Sequence, residues 1–339
     1  MKLTGEQLLP LFHGYLDCNY DVGTSYVHLH RFLCSQRDAY LSKGPKTLRR
    51  CFASANIYLD VVTDSTRLRL SFYAKNASAV SYAGFDLYVD GVFADRRFFR
   101  DWRIDEVYFP LPDDGQRHRV TLYLPWSCAV TPGWLELDDD AAFEPVQRAG
   151  RGMVFGDSIT QGYTTLMPSL SYANTLGRDL DAEIINQGAG GFYFDESTLD
   201  PALADYAPEF LVIAYGTNDF SRNSDPTVFR TAAKAYIDRF HQIFSGRRIY
   251  GVLPLFRSDS NVADPQPDAR YTFAEAREML AELYAAYPDI TLLRETGIPH
   301  IHEAFAEDCV HPTDFGHLHI AKSLERIIRQ GKYCITASH

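Results

Sequence analysis

Residues 154–162 read VFGDSITQG, an apolar run that stops at a glycine and then delivers an acid, two hydroxyls and a second glycine. A break of this kind marks the end of a buried strand and the start of a helix. Two readings of Ser158 compete there. Serine is a favoured N-cap residue, so Ser158 can simply cap the helix that follows. The other reading is a nucleophile held at the carboxyl edge of a parallel sheet, where open α/β folds keep their chemistry. The stretch alone does not separate the two.

Its surroundings set the fold. Short apolar runs, MVF (153–155), EII (183–185), FLVIAY (210–215), IYGVLPLF (249–256) and ITLL (290–293), alternate with helical stretches. In the clearest of those, Phe229, Ala232, Ala233, Tyr236, Ile237, Phe240 and Phe244 fall on one helical face. Strands alternating with amphipathic helices imply βαβ units and a parallel sheet covered on both sides. Upstream the period changes to two. RLRLSFYA puts Leu68, Leu70 and Phe72 on one face, HRVTLYL does the same with Val120, Leu122 and Leu124, and Asp90-Gly91 suits a type I′ hairpin turn. Half-polar strands with tight turns and little helical signal indicate an antiparallel β-sandwich. With 339 residues, more than one core usually holds, two domains are expected: a jelly-roll-like sandwich over 1–145 and an α/β domain over 146–335. The polar stretch LDDDAAFEPVQRAGRG, from Leu137, reads as the linker.

Charge narrows the partners. The formal net charge is −11 and no Lys/Arg-rich block occurs, which argues against nucleic acid or an anionic membrane surface. No run approaches the ~18 apolar residues of a membrane span. The opening MKLTGEQLLPLFHGYLDC lacks a basic stretch followed by a long apolar one, so the expectation is a cytoplasmic protein. Its six scattered cysteines, with no C-x-x-C pair, read as reduced thiols. A homo-oligomer is compatible with everything in the sequence.

A serine hydroxyl needs an adjacent base, and the base an orienting group. The best candidates lie in EDCVHPTDFGH, where Asp308 and His311 are three apart and Pro312 stiffens the chain behind them. A developing oxyanion also needs donors. EIINQGAGGF ends a strand in glycines, and FLVIAYGTNDF ends another in Gly216, Thr217, Asn218 and Asp219, so that Asn218 can offer its side-chain amide. A glycine turn and an Asx-turn are the plain alternatives at those two places.

In this order GDSIT, NQGAGG, GTND and DCVHP resemble the four blocks of the SGNH (GDSL-type) hydrolases, over roughly residues 150 to 330. The resemblance implies a flavodoxin-like three-layer α/β/α fold and an ester-cleaving serine enzyme with no metal and no cofactor. It makes Ser158 the nucleophile, His311 the general base and acid, and Asp308 the orienting acid. It places the oxyanion hole on the backbone N–H groups of Ser158 and of a loop glycine, and on the Asn218 side chain. That glycine is Gly191 if Asn186 opens the block, with Gly190 or Gly188 left open. Ile159 replaces the leucine of the name motif, and no G-x-S-x-G occurs, which argues against the ordinary α/β-hydrolase fold. Upstream, GFDLYVDG is similar to the G-x-D-L-Y signature of a β-sandwich that precedes SGNH domains, with Phe85, Leu87 and Tyr88 expected in strand packing. The two-part architecture also resembles the family 2 carbohydrate esterases.

The implied function is a serine esterase for small acyl groups, acetyl above all, on a carbohydrate. A lipase or lysophospholipase, an acyltransferase with the same triad, and an inactive carbohydrate-binding protein are the alternatives. Other features read as structure. His28-x-His30, His300-x-His302 and His317-x-His319 are set aside as metal ligands, their spacing being read as turning the rings to opposite strand faces. Cys309 reads as small buried filler and Asp157 as a hydrogen-bonding turn residue. Phe192, Tyr193 and Phe194 either wall a pocket or pack the core.

Overall fold

The computed structural model describes residues 1–21, 23–257 and 270–335. The first part of the chain runs β1 (Lys2–Thr4), β2 (Phe12–His13), β3 (Asp17–Tyr20), β4 (Val27–His30), α1 (Cys34–Ser42), α2 (Pro45–Cys51), β5 (Tyr58–Thr63), β6 (Arg67–Asn76), β7 (Ala83–Val89), β8 (Val92–Phe99), β9 (Glu106–Pro110), β10 (His118–Tyr123), β11 (Cys128–Glu136) and β12 (Phe143–Pro145). Its strands build two antiparallel sheets, ordered β1-β11-β6-β9 and β12-β5-β10-β7-β8, with β2 paired to β5 and β3–β4 forming a separate hairpin. The period-two residues meet between the sheets: Leu68, Leu70 and Phe72 pack in one cluster with Phe85, Leu87, Val120 and Leu122. Asp90 (φ 52°) and Gly91 (φ 78°) turn β7 into β8 with both φ values positive, as a type I′ turn requires.

Two expectations are corrected here. The polar stretch after Leu137 is not all linker, because β12 adds an edge strand to β5. Helices α1 and α2 interrupt the β-rich part without a period to announce them. Only Gln36 and Tyr40 are buried on α1, one of them polar, so no apolar stripe appears in its sequence. The buried side chains on and beside these helices pack with the second part. Phe32, Tyr40 and Cys51 share a core with Phe155, Ala189 and Phe192 of the second part.

That part runs β13 (Gly150–Gly156), α3 (Ser158–Gln161), α4 (Tyr172–Leu180), β14 (Ala182–Gly188), β15 (Phe210–Ala214), α5 (Thr217–Arg222), α6 (Pro226–Ile243), β16 (Arg248–Val252), α7 (Phe273–Ala285), β17 (Ile290–Leu293) and α8 (Asp314–Ile335). All five strands are parallel, in the order β14-β13-β15-β16-β17. Alternate residues of β13 serve opposite faces. Met153 and Phe155 join α6 and α7 in one core, whereas Val154 joins α4 and α8 in another, which gives three layers. The order is the flavodoxin-like one, and its switch point lies between β13 and β15.

The G-x-D-L-Y strand joins the parts through the same alternation. Phe85 and Leu87 point into the sandwich, whereas Gly84, Asp86 and Tyr88 face the 3₁₀ turn Pro168–Leu170 and the chain before it. The Asp86 carboxylate accepts the Ser169 N–H at 2.9 Å and the Tyr88 hydroxyl donates to Ser169 Oγ at 3.3 Å. A Cβ on Gly84 would stand 3.0 Å from the Leu166 carbonyl oxygen. Tyr88 thus leaves the sandwich core and packs instead with Tyr58 and Tyr123.

Burial pushes the Asp86 carboxyl up to about 6, against the pull of its Ser169 hydrogen bonds. A carboxyl raised in the folded state favours folding most below its unfolded pKa near 4, and that contribution is lost as pH rises through 6. Asp86→Asn should therefore differ from the parent by a margin that shifts against the parent, by up to about 3 kcal/mol, between pH 4 and pH 7. Denaturant midpoints of both proteins across that range check it. A margin independent of pH would show that Asp86 ionises in the fold as it does in the unfolded chain.

Candidate active site

Every loop of the site leaves the carboxyl edge of the parallel sheet or arrives beside it. Helix α3 follows β13, the glycine loop follows β14, Asn218 stands at the start of α5 behind β15, and Asp308 and His311 precede α8. The first two strands and β15 flank the switch point, where such folds open a crevice.

Asp157, not Ser158, is the N-cap of α3: its Oδ1 accepts the Ile159 N–H at 2.9 Å. The Ser158 hydroxyl is left for other work and lies 2.7 Å from His311 Nε2. His311 Nδ1 lies 2.5 Å from Asp308 Oδ2. A carboxylate only accepts, so Nδ1 carries the proton, and Nε2 of the neutral ring then accepts from the serine. The other oxygen, Asp308 Oδ1, takes the backbone N–H groups of Val310 and His311 at 3.0 Å each. Partial burial works to raise the Asp308 carboxyl, but these N–H donors and the imidazole outweigh it and hold it below the usual range. Behind the ring stands Tyr163, 4.6 Å between centroids, and Tyr163 rests on Trp126 of the sandwich part at 5.2 Å.

In the glycine loop the N–H of Gly188 goes to Asn186 Oδ1, that of Ala189 to the Gly156 carbonyl, that of Gly190 to Gln161 Oε1 and that of Phe192 to the Ala189 carbonyl. Gly191 is left with its N–H unpartnered among the described residues, at φ 71°, where a side chain would be strained. Ser158, the first residue of α3, has no intrahelical acceptor for its N–H either. The Asn218 amide is already engaged, 3.0 Å from the Phe192 carbonyl and 3.2 Å from Asp157 Oδ2. Burial raises the Asp157 carboxyl to about 6, offset in part by the Ile159 N–H and His311.

Ser158, Gly191, Asn218, Asp308 and His311 line one cleft of about 240 Å³, and Arg50, Ser78 and Ala79 of the first part line it with them. Gln161 ties the two parts below it, donating to the Trp126 carbonyl at 3.2 Å while accepting from Gly190. The sequence carried no signal for Arg50, Ser78 or Ala79, because nothing local distinguishes them. Phe192 and Phe194 are buried in the core, not in the cleft. The rings of His28 and His30 are stacked on one face of β4, 6.0 Å apart, since residues two apart on a strand share a face; the opposite-face reading was an error of geometry. Among the described residues no three His, Cys, Asp or Glu side chains gather into a ligand set. Cys309 is half-exposed at φ 59°, a turn residue and not filler. The five described cysteines are free thiols. No described helix is long and apolar enough to cross a membrane.

Fold and loop order together define an SGNH-type α/β domain preceded by antiparallel sheets. Residues 154–318 match the model of the GDSL-like lipase/acylhydrolase family, and that stretch is a domain of this family. Solved structures share the fold over most of the chain. Salicylyl-acyltransferase SsfX3 from a tetracycline biosynthetic pathway is 18% identical, with 98% of this chain and 97% of that one covered and a TM-score of 0.79. A GDSL-like lipase from Bacteroides ovatus is 19% identical, with 97% of each chain covered and a TM-score of 0.76. A family two carbohydrate esterase from Clostridium thermocellum, in complex with cellohexaose, is 17% identical, with 81% and 92% covered and a TM-score of 0.63. At such identities the likeness establishes the fold. No curated protein matches the sequence.

Proposed function

We propose that the chain is a serine esterase that removes small acyl groups, acetyl above all, from a carbohydrate by way of an acyl-enzyme. The observation that carries this is the relay from Ser158 Oγ through His311 to Asp308, at 2.7 and 2.5 Å, in an open cleft. Ser158 Oγ attacks the ester carbonyl as its proton passes to His311 Nε2, and Asp308 stabilises the imidazolium. The imidazolium protonates the departing alcohol oxygen, the acyl group stays on Ser158, and water repeats the path with His311 as base. The N–H groups of Ser158 and Gly191 and the Asn218 amide receive the oxyanion. For that, Asn218 exchanges its 3.2 Å contact with Asp157 for the substrate. Asn218→Ala should lower kcat by roughly 10²–10³ with little change in KM, the usual loss for one such donor. Steady-state kinetics on an aryl acetate check it.

The carbohydrate part of the reading draws on the family two esterase neighbours, and the small acyl part on the modest cleft. The test is turnover of aryl esters from acetate to octanoate, with acetylated xylo-oligosaccharide alongside, for wild type and Ser158→Ala. Serine-dependent acetate release that falls with chain length is the expected result. A preference for octanoate would replace the sugar with a lipid. The acyltransferase neighbour, similar over nearly the whole chain, favours a second reading in which an alcohol takes the acyl group in place of water. Acyl transfer to added alcohol that outruns acetate release would select it.

A further inference from the structure

Arg50 is the cation of the cleft, and it has no counter-ion among the described residues. Its guanidinium lies against the glycine loop: Nη1 donates to the Gly190 carbonyl, and Nε stands 3.4 Å from where a Gly190 Cβ would be. Its Nε and Nη2 donors have no hydrogen-bond partner among the described residues. Among the described residues Asp308 is the one carboxylate lining this cleft, and His311 occupies it. Burial, and then the neighbouring Arg49, push the Arg50 pKa down, as expected of a half-buried cation beside another.

The same sign continues next door. Arg49 and Lys75 line an adjoining groove of about 380 Å³ with the rings of Phe52 and Tyr73, and among the described residues no carboxylate lines it. Asp21, beside it, is bonded by His28 and Tyr73. Arg49 Nη2 donates to the Ser78 carbonyl at 3.2 Å, and Ser78 belongs to the catalytic cleft, so one residue separates the two openings. A chain of net charge −11 thus lines this cleft with Arg50 and the adjoining groove with Arg49 and Lys75, while the two acids beside them, Asp308 and Asp21, are each bonded to other side chains. A half-buried guanidinium with spare donors, in the cleft that Ser158 lines, matches a carboxylate on the substrate.

We infer that the site selects esters that bear a carboxylate close to the scissile bond, and that Arg50 is the side chain that reads it. The inference rests on the esterase reading and names its substrate class. The carboxylate belongs either to the acyl group, as in a dicarboxylic hemiester, or to the alcohol, as in an acylated uronate.

Two matched pairs separate these sources: aryl hemisuccinate against aryl butyrate, and acetylated methyl glucuronide against acetylated methyl glucoside. Each is measured as kcat/KM for wild type, Arg50→Gln and Arg50→Lys. In one pair the wild type should favour the anion by about tenfold to a hundredfold, the range of one charge-assisted contact. Arg50→Gln should bring that ratio near one, and Arg50→Lys should restore part of it. If Arg50 did nothing but hold the Gly190 carbonyl, both members of a pair would fall together. Serine-dependent hydrolysis of neutral acetates with no anion preference in either pair would overturn the inference and leave the esterase reading standing. If no ester turns over at all, the esterase reading fails first. Calorimetry on Ser158→Ala, with and without Arg50→Gln, of glucuronate against glucose and of aryl hemisuccinate against aryl butyrate then decides: tighter, Arg50-dependent binding of the anion in either pair supports the anion site, and equal binding in both overturns it.

Discussion

Ser158→Ala should lower kcat on an aryl acetate by on the order of 10⁶, the loss found when a serine-hydrolase relay loses its nucleophile. Stability should barely change. The hydroxyl's one hydrogen bond is to His311, and the capping of α3 belongs to Asp157. His311→Ala should cost a similar factor, and the double variant should be no slower than either single one, because base and nucleophile act as a unit. Steady-state turnover of the aryl acetate, beside thermal melts of all four proteins, measures both halves of the claim. Turnover by Ser158→Ala above a percent of wild type, or losses that multiply in the double variant, would place the chemistry elsewhere.

The part of this site that was legible in the sequence is the part that chemistry confines to short range. Asp308 and His311 sit three residues apart because one loop has to hold carboxylate and imidazole in register, and glycines mark the loop that approaches a substrate. The parallel sheet was legible for a similar reason, since a strand buried on both faces has to be apolar throughout. What stayed hidden is made of contacts between side chains and distant backbone. Gln161 reaches the Trp126 carbonyl, Arg50 the Gly190 carbonyl, and Asp86 the Ser169 N–H. A backbone group is present at every position whatever the side chain, so such partners leave no mark in the residue string. Helix α1 escaped for the complementary reason. Its buried face is two side chains wide, and Gln36 uses its place to bond Gln187 at 2.8 Å and not to pack.

Arg31 is the extreme of this kind and the site of the second large effect. Its side chain is fully buried, and every partner it has is neutral. Nε donates to the Ala53 carbonyl at 2.7 Å, Nη2 to the Arg50 carbonyl at 3.2 Å, and Nη1 to the carbonyls of Asn186 and Gly188. Burial pushes its pKa down to about 10, so it stays charged at neutral pH. It joins the chain around α2, which carries Arg50, to the end of β14, which leads into the glycine loop. Arg31→Met keeps much of the volume but strips several buried carbonyls of their donor at once. Each loss is worth about 1–3 kcal/mol, so a total near 4 kcal/mol is expected, with a fall in Tm of about 6 °C for a chain of this length. The activity of the folded fraction should fall too, since the Gly191 N–H depends on the same loop. Arg31→Lys should recover little, because three donors on one nitrogen do not span carbonyls that a planar fork reaches. Calorimetric melts and activity per titrated site check both effects. A Tm within a degree or two of the parent would mean that water enters to replace the guanidinium and that the join between α2 and the glycine loop is held by the apolar contacts of Phe32, Tyr40 and Phe192 instead.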